Sequence, residues 1–239
     1  MGLPNPKWLL LEGVRFGASF IDYYTTGAHF ESLPPGDGQA VYLLPGFATN
    51  HLSTIFIKEV LDKLGYQTRD WNYGFNVKFN ELLIKRLRND LNELYETSGR
   101  KVSIVGLSLG GVYARFLANH SPEKVRSIIT LGSPFSGHEP IITYGSYLFD
   151  KLNKQKSHEL LDKYGGMIHA NPPVPSTSIY SKTDGVVRWE YSTQQETPIS
   201  ENVQVTCGHC ALACDPRVME IIADRLSQPE NGWRKFEGW

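Results

Sequence analysis

"KVSIVGLSLGGVYARFLANH", residues 101–120, runs from a buried strand straight into a helical pattern with no loop between them. Strand character belongs to "KVSIVGLS" and amphipathic helical character to "LGGVYARFLANH". At the joint stands Gly106-Leu107-Ser108-Leu109-Gly110, a Gly-x-Ser-x-Gly pattern. A strand that turns this sharply into a helix strains the serine backbone and lifts its hydroxyl clear of the sheet. Positions two before and two after the serine then pass too closely for side chains, which is the physical need for Gly106 and Gly110. Four letters alone arise by chance, so the context decides: strand before, helix after, and a βα series on both sides make Ser108 the candidate nucleophile.

That series extends outward from the joint. "AVYLLPG" is a strong strand ended by Pro45-Gly46, and residues 54–64 carry Ile55, Phe56, Val60, Leu61 and Leu64 at helical spacing, with Gly65 as a C-cap signal. "YQTRDW" is a weaker strand. Residues 78–97 place Leu83, Leu87, Leu91, Leu94 and Tyr95 on one stripe, the mark of a surface helix packed on one side. After the joint come "KVRSIITLGSP", "STSIYS" and "NVQVT" as strands, then a helix opened by Asp215 as N-cap and Pro216 at its first position, with Val218, Ile221, Ile222 and Leu226 as its buried face. Alternating strands and helices predict an α/β fold with a mainly parallel central sheet flanked by helices. Residues 138–175 break the rhythm and are expected to be an insertion within a single 1–239 domain.

Composition narrows the function. A formal net charge of -1, with no clustered basic stripe, argues against a nucleic-acid surface. The N-terminal apolar run is short and broken by Glu12, so neither a secretory leader nor a membrane span is expected. The expected location is cytoplasmic, with peripheral membrane contact left open. Oligomeric state is not legible.

A serine hydroxyl attacks well only when a base takes its proton and a third group orients that base. Turns of this kind receive both from loops after later strands, in the order serine, acid, histidine. His138, His158 and His169 all fall in the insertion, whereas His209 follows "NVQVT" and precedes the last helix, so His209 is the expected base. Asp184, in a turn after "STSIYS" and eased by Gly185, is the expected acid; Asp150 and Glu190 are its competitors. Asp162 reads as a solvated position in the insertion, and Asp215 as a helix cap. For the oxyanion, the amide of Leu109 and that of Phe47, just after the Pro45-Gly46 turn, are the candidate donors.

The second motif is "VTCGHCALAC", in which Cys207 and Cys210 have the spacing of thiol-redox centres. A single helix and a polar tail follow, where a thioredoxin-like chain needs further strands. A zinc site from Cys207, His209, Cys210 and Cys214 would consume the candidate base. No cofactor and no metal are therefore expected. A Cys207–Cys210 disulfide that perturbs His209 is a separate possibility.

With these residues in place, the chain from about Ala40 to Leu226 resembles the α/β-hydrolase superfamily, and more narrowly its bacterial lipase-like and esterase-like members. The pieces that carry the resemblance are "LLPGF", "VGLSLGG", "LGSPFSG", "SKTDGVV" and "GHCAL". It implies a catalytic triad of Ser108, Asp184 and His209, an oxyanion hole from Phe47 and Leu109, and a cap at residues 138–175 that shapes an acyl pocket. The first forty residues and the cysteines beside His209 depart from the pattern.

The insertion holds Tyr144, Tyr147, Leu148, Phe149, Leu152, Leu160, Leu161, Tyr164, Met167 and Ile168, more apolar side chains than a solvated loop exposes comfortably. Some must cover the core, and a share lining a pocket favours an ester or lipid substrate with a hydrophobic acyl chain. Phe16, Phe20, Ile21, Tyr23 and Tyr24 are candidates for a further apolar wall or a membrane contact. Two rival functions stand beside an esterase or lipase: an acyltransferase using the same triad, and a metal-binding or thiol-redox module.

Overall fold

A computed structural model of the chain describes residues 2–137, 142–153 and 157–238. Its helices in chain order are α1 (Pro6–Thr26), α2 (Ile55–Lys63), α3 (Glu81–Ser98), α4 (Leu109–His120), α5 (Ser146–Asn153), α6 (Ser157–His169) and α7 (Pro216–Ser227). The strands are β1 (Ala40–Leu44), β2 (Gln67–Arg69), β3 (Val102–Leu107), β4 (Val125–Leu131), β5 (Ser176–Ser181) and β6 (Ser200–Val205). They form one sheet in the order β2-β1-β3-β4-β5-β6, and every pairing between them is parallel.

Both faces of this sheet are covered, so its central strands read as continuous apolar runs rather than alternating ones. Successive side chains still point to opposite sides. Val41, Leu43, Val105 and Leu107 join a core with α2 and α7, whereas Ala40, Tyr42, Leu44, Val102 and Ile104 join one with α3 and α4. Asn80 caps α3 by accepting from the Leu83 amide at 3.0 Å, and Asp215 caps α7 with Pro216 in its first turn.

From β1 the chain moves outward to β2, then returns to lay β3 on the other side of β1. Loops leaving β1 and β3 therefore diverge at the carboxyl edge of the sheet and leave a crevice between them, the usual ligand position in such sheets. Leu44 pairs with Gly106 at that edge, directly below Ser108.

Two parts were not legible as elements. The stretch expected as an irregular insertion carries α5 and α6, and α6 packs against α4. The 21-residue α1 has an inverted pattern: Leu10, Val14 and Ile21 are exposed while Glu12 is buried. Phe16, Phe20 and Tyr23, at helical spacing, do face the body of the protein, but the buried carboxylate and the exposed apolar positions between them blur that stripe in the sequence. It packs on the Cys210–Ala213 turn and on α7. Among the described residues no helix is long and apolar enough to cross a membrane.

Candidate active site

Ser108 stands between β3 and α4 with φ 51 and ψ −116, a left-handed backbone that a residue with a Cβ adopts only under constraint. The constraint is visible around it. A Cβ on Gly106 would lie 2.4 Å from the Gly110 backbone, and one on Gly110 would lie 2.2 Å from the Leu44 carbonyl oxygen. Such distances allow only glycine, so α4 sits as close to β3 and β1 as backbone can.

His209 and Asp184 meet above the ends of β4 and β5. The Nδ1 of His209 lies 2.6 Å from Oδ2 of Asp184, and both residues are buried. Asp184 Oδ1 accepts the amides of Val186 and Val187, each at 2.8 Å, which fixes the carboxylate in one orientation. Gly132, at the end of β4 with φ 55, leaves room for the pair: a Cβ there would be 3.0 Å from His209 Nδ1 and 3.1 Å from Asp184 Oδ2. Burial alone would lower the His209 pKa, but the charge and hydrogen bond of Asp184, with a smaller push from Glu12, raise it above its ordinary value of 6.5.

The competing residues lie away from this pair. Glu190 is paired with Arg188 at 2.8 Å, and His169 Nδ1 bonds the Phe135 carbonyl oxygen. Asp150 lies on α5, Asp162 is exposed on α6, and Asp215 caps α7. His138 and the side chains of His158, Leu160 and Leu161 lie outside the described residues.

Phe47 follows Gly46 in the loop after β1, and a Cβ on Gly46 would come 3.4 Å from Ser108 Cβ. The loop is held by Asn76, which sequence reasoning missed. Asn76 is fully buried; its carbonyl accepts the Ala48 amide at 2.9 Å, its own amide donates to the Thr49 carbonyl at 2.7 Å, and its Nδ2 donates to the Pro45 carbonyl at 2.9 Å. Tyr113 on α4 donates its hydroxyl to Asn76 Oδ1 at 2.9 Å. Ala48 is left at φ 56, a second strained residue beside the first. An asparagine in a loop carries no local signal for such a role.

Ser108, His209, Phe47 and Leu109 all line one cavity of about 640 Å³. Its walls are almost wholly apolar. Phe16 of α1 with Leu52 and Phe56 form one side; Leu148 and Phe149 of α5 and Ile168 of α6 contribute to another, with Phe79 and Val112. Phe149 packs edge-on against Phe47, with ring centroids 5.4 Å apart, so α5 roofs the loop after β1. Of the other insertion residues, Tyr144 lines the cavity, Tyr164 packs on Phe79 and Phe116, and Tyr147, Leu152 and Met167 are exposed. Of the N-terminal aromatics, Tyr23 joins the core and Phe20 packs on Phe56, while Ile21 and Tyr24 are exposed.

All three cysteines are free thiols. Burial raises each thiol pKa, to about 11 for Cys210 and about 12 for Cys214, with Cys207 higher still. Protonated thiols are poor nucleophiles and poor metal ligands. Among the described residues no group of three or more His, Cys, Asp or Glu side chains is gathered to hold a metal.

The sheet order, the strained serine after β3 and the crevice beside it define the α/β-hydrolase fold. The chain belongs to the PGAP1-like alpha/beta domain family, whose pattern it matches over residues 66–207. Its fold is similar to that of an Aspergillus fumigatus lipase B at TM-score 0.63 and 16% identity, covering 80% of this chain and 52% of that one. The chain thus spans about half the length of that lipase. A Paleococcus ferrophilus monoacylglycerol lipase is similar at TM-score 0.60 and 12% identity, over 82% of this chain and 96% of that chain. A mature Bacillus licheniformis lipase is similar at TM-score 0.58 and 17% identity, over 80% and 94%. Comparison with curated protein sequences returns no match.

Proposed function

We propose that this protein is a serine hydrolase of carboxyl esters with an apolar acyl chain. Ser108 is the nucleophile, His209 the general base, Asp184 the residue that orients it, and the amides of Phe47 and Leu109 the oxyanion donors. The observation that carries this reading is the opening of a strained serine and a buried histidine–aspartate pair onto one apolar cavity. The lipase descriptions of the Aspergillus, Paleococcus and Bacillus proteins agree with an ester or lipid substrate.

In this mechanism His209 Nε2 takes the Ser108 proton as Oγ attacks the ester carbonyl. Asp184 accepts from Nδ1, holds the tautomer that leaves Nε2 free, and stabilises the imidazolium that forms. Negative charge gathering on the carbonyl oxygen meets the two backbone amides. The imidazolium then protonates the leaving alkoxide, and water, activated by the same histidine, releases the acid from the serine. An apolar cavity of this size accepts a medium to long acyl chain, and a cap formed by α5 and α6 sets its length. Leu52 and Leu148, lining the cavity yet substantially exposed, form an apolar rim suited to a lipid surface.

The test is turnover of p-nitrophenyl esters of graded chain length, with Ser108→Ala measured in parallel. The expected result is activity that rises with chain length until the cavity is filled and is abolished by the substitution. Folded protein that turns over no ester of the series would contradict the proposal.

A further inference from the structure

Glu12 is a buried carboxylate with no role in the chemistry above. It projects from α1, outside the βα series, and is separated by more than 170 residues from the groups it meets. Its Oε1 accepts the Gly185 amide at 2.8 Å and the His209 amide at 2.9 Å, and its Oε2 accepts the Cys210 amide at 3.0 Å. One side chain thus ties the loop that carries Asp184 to the loop that carries His209.

The backbone around it is shaped to admit this contact. A Cβ on Gly208 would lie 2.7 Å from Glu12 Oε2, and one on Gly185 would lie 2.5 Å from the Trp8–Leu9 backbone. Both glycines are therefore places where a loop closes onto α1. Arg15, one turn further along the helix, donates to the carbonyl and the hydroxyl of Thr183, next to Asp184. Backbone amides stabilise a buried carboxylate well, and three of them satisfy most of its acceptor capacity.

We propose that Glu12 is a positioning residue for the base and acid of the site, acting through the two loops it joins and through its charge on His209. The inference rests on the serine-hydrolase reading. A fixed distance between Asp184 and His209 requires their loops to move as one body, and a shared carboxylate enforces that. Its negative charge also favours the imidazolium form of His209. Asp184 and Glu12 are the charges acting on His209 itself; the Cys207 and Cys210 thiols flank it in the chain, and Arg15 and the Asp215–Arg217 pair act on Cys207. In this account α1 is part of the catalytic scaffold.

The test is the rate at which a fluorophosphonate probe phosphonylates Ser108, followed by mass over about pH 5 to 9. This readout needs no knowledge of the natural ester. Glu12→Gln keeps the volume, removes the charge and turns an N–H group toward at least one amide. It is expected to lower the rate by about ten- to a hundredfold and to move the acid limb to lower pH, because His209 loses a nearby anion. Gly208→Ala, which displaces the carboxylate without removing it, is expected to lower the rate as well and carries the test should Glu12→Gln not fold. Rates and midpoints equal to wild type in both variants would overturn the proposal. So would a slower rate at an unmoved midpoint in Glu12→Gln, which would reduce Glu12 to packing. Folded wild-type protein that is not labelled at all would overturn the serine-hydrolase reading itself, an outcome distinct from the other two.

Discussion

Asp184 holds His209 through one carboxylate oxygen, 2.6 Å from Nδ1, while its other oxygen is held by the amides of Val186 and Val187. A carboxylate fixed on both sides fixes the imidazole in turn. Asp184→Asn keeps the shape but presents either an amide N–H or a weaker acceptor to Nδ1, favouring the wrong tautomer. Steady-state kinetics should show kcat reduced by about three to four orders of magnitude with KM little changed. A loss of less than tenfold would remove Asp184 from its assigned role.

The same pairing sets a pH dependence. In the proposed mechanism His209 must be neutral to accept the serine proton, and its pKa is raised above 6.5 by Asp184 and Glu12 against the opposing effect of burial. The acid limb of kcat/KM should therefore have its midpoint above 6.5. Stability follows with opposite sense: protonated His209 stabilises the fold fully below the unfolded value, and that contribution is lost as pH rises through the folded pKa. Denaturant titrations across this window, in wild type and His209→Ala, measure the difference.

Asn76 should matter for both stability and rate. Asn76→Leu leaves the buried Pro45 carbonyl and Tyr113 hydroxyl without partners, a cost of about 2 to 4 kcal/mol. It also removes one of the three hydrogen bonds that tie residue 76 to the loop carrying Phe47, the proposed oxyanion donor. Thermal unfolding and kcat measured on the same variant are expected to fall together, with kcat lower even well below the melting temperature.

Arg115 is the largest fully buried side chain, and burial holds its pKa down to about 9. It donates to the carbonyls of Ile168 and Ala170 at the end of α6 and to Gln194 Oε1, and its guanidinium lies 3.9 Å from the Phe135 ring centroid. Arg115→Leu takes its side-chain donor from the Ile168 carbonyl, leaves the Ala170 carbonyl and Gln194 Oε1 to Asn119 and Ser176 alone, and should destabilise the protein by about 3 kcal/mol. Because α6 brings Ile168 to the cavity, KM for long-chain esters should rise more than kcat falls.

The parallel sheet, its order of strands and helices, and the turn at Ser108 were legible because each is written locally: apolar runs, helical spacing, and glycines where backbones touch. The meeting of Asp184 with His209 was legible from their positions after "STSIYS" and "NVQVT", a matter of chain order. Glu12 and Asn76 were not. Each acts by accepting or donating hydrogen bonds to backbone far along the chain, and backbone amides leave no trace in residue identity. The helix α1 was missed for a related reason, since its key buried residue is a carboxylate and many of its apolar residues face outward. Gly208 and Gly185 were the faint signals available, glycines beside candidate site residues whose need appears only once α1 is in place.

The central claim is a covalent acyl-enzyme on Ser108. Acid-quenching the protein during turnover of a p-nitrophenyl ester and locating the adduct by peptide mass spectrometry tests it most directly. The account predicts one acyl group on the peptide containing Ser108 and none in Ser108→Ala. Turnover with the acyl group on Cys210, which lines the same cavity, would contradict it, and so would turnover retained by Ser108→Ala.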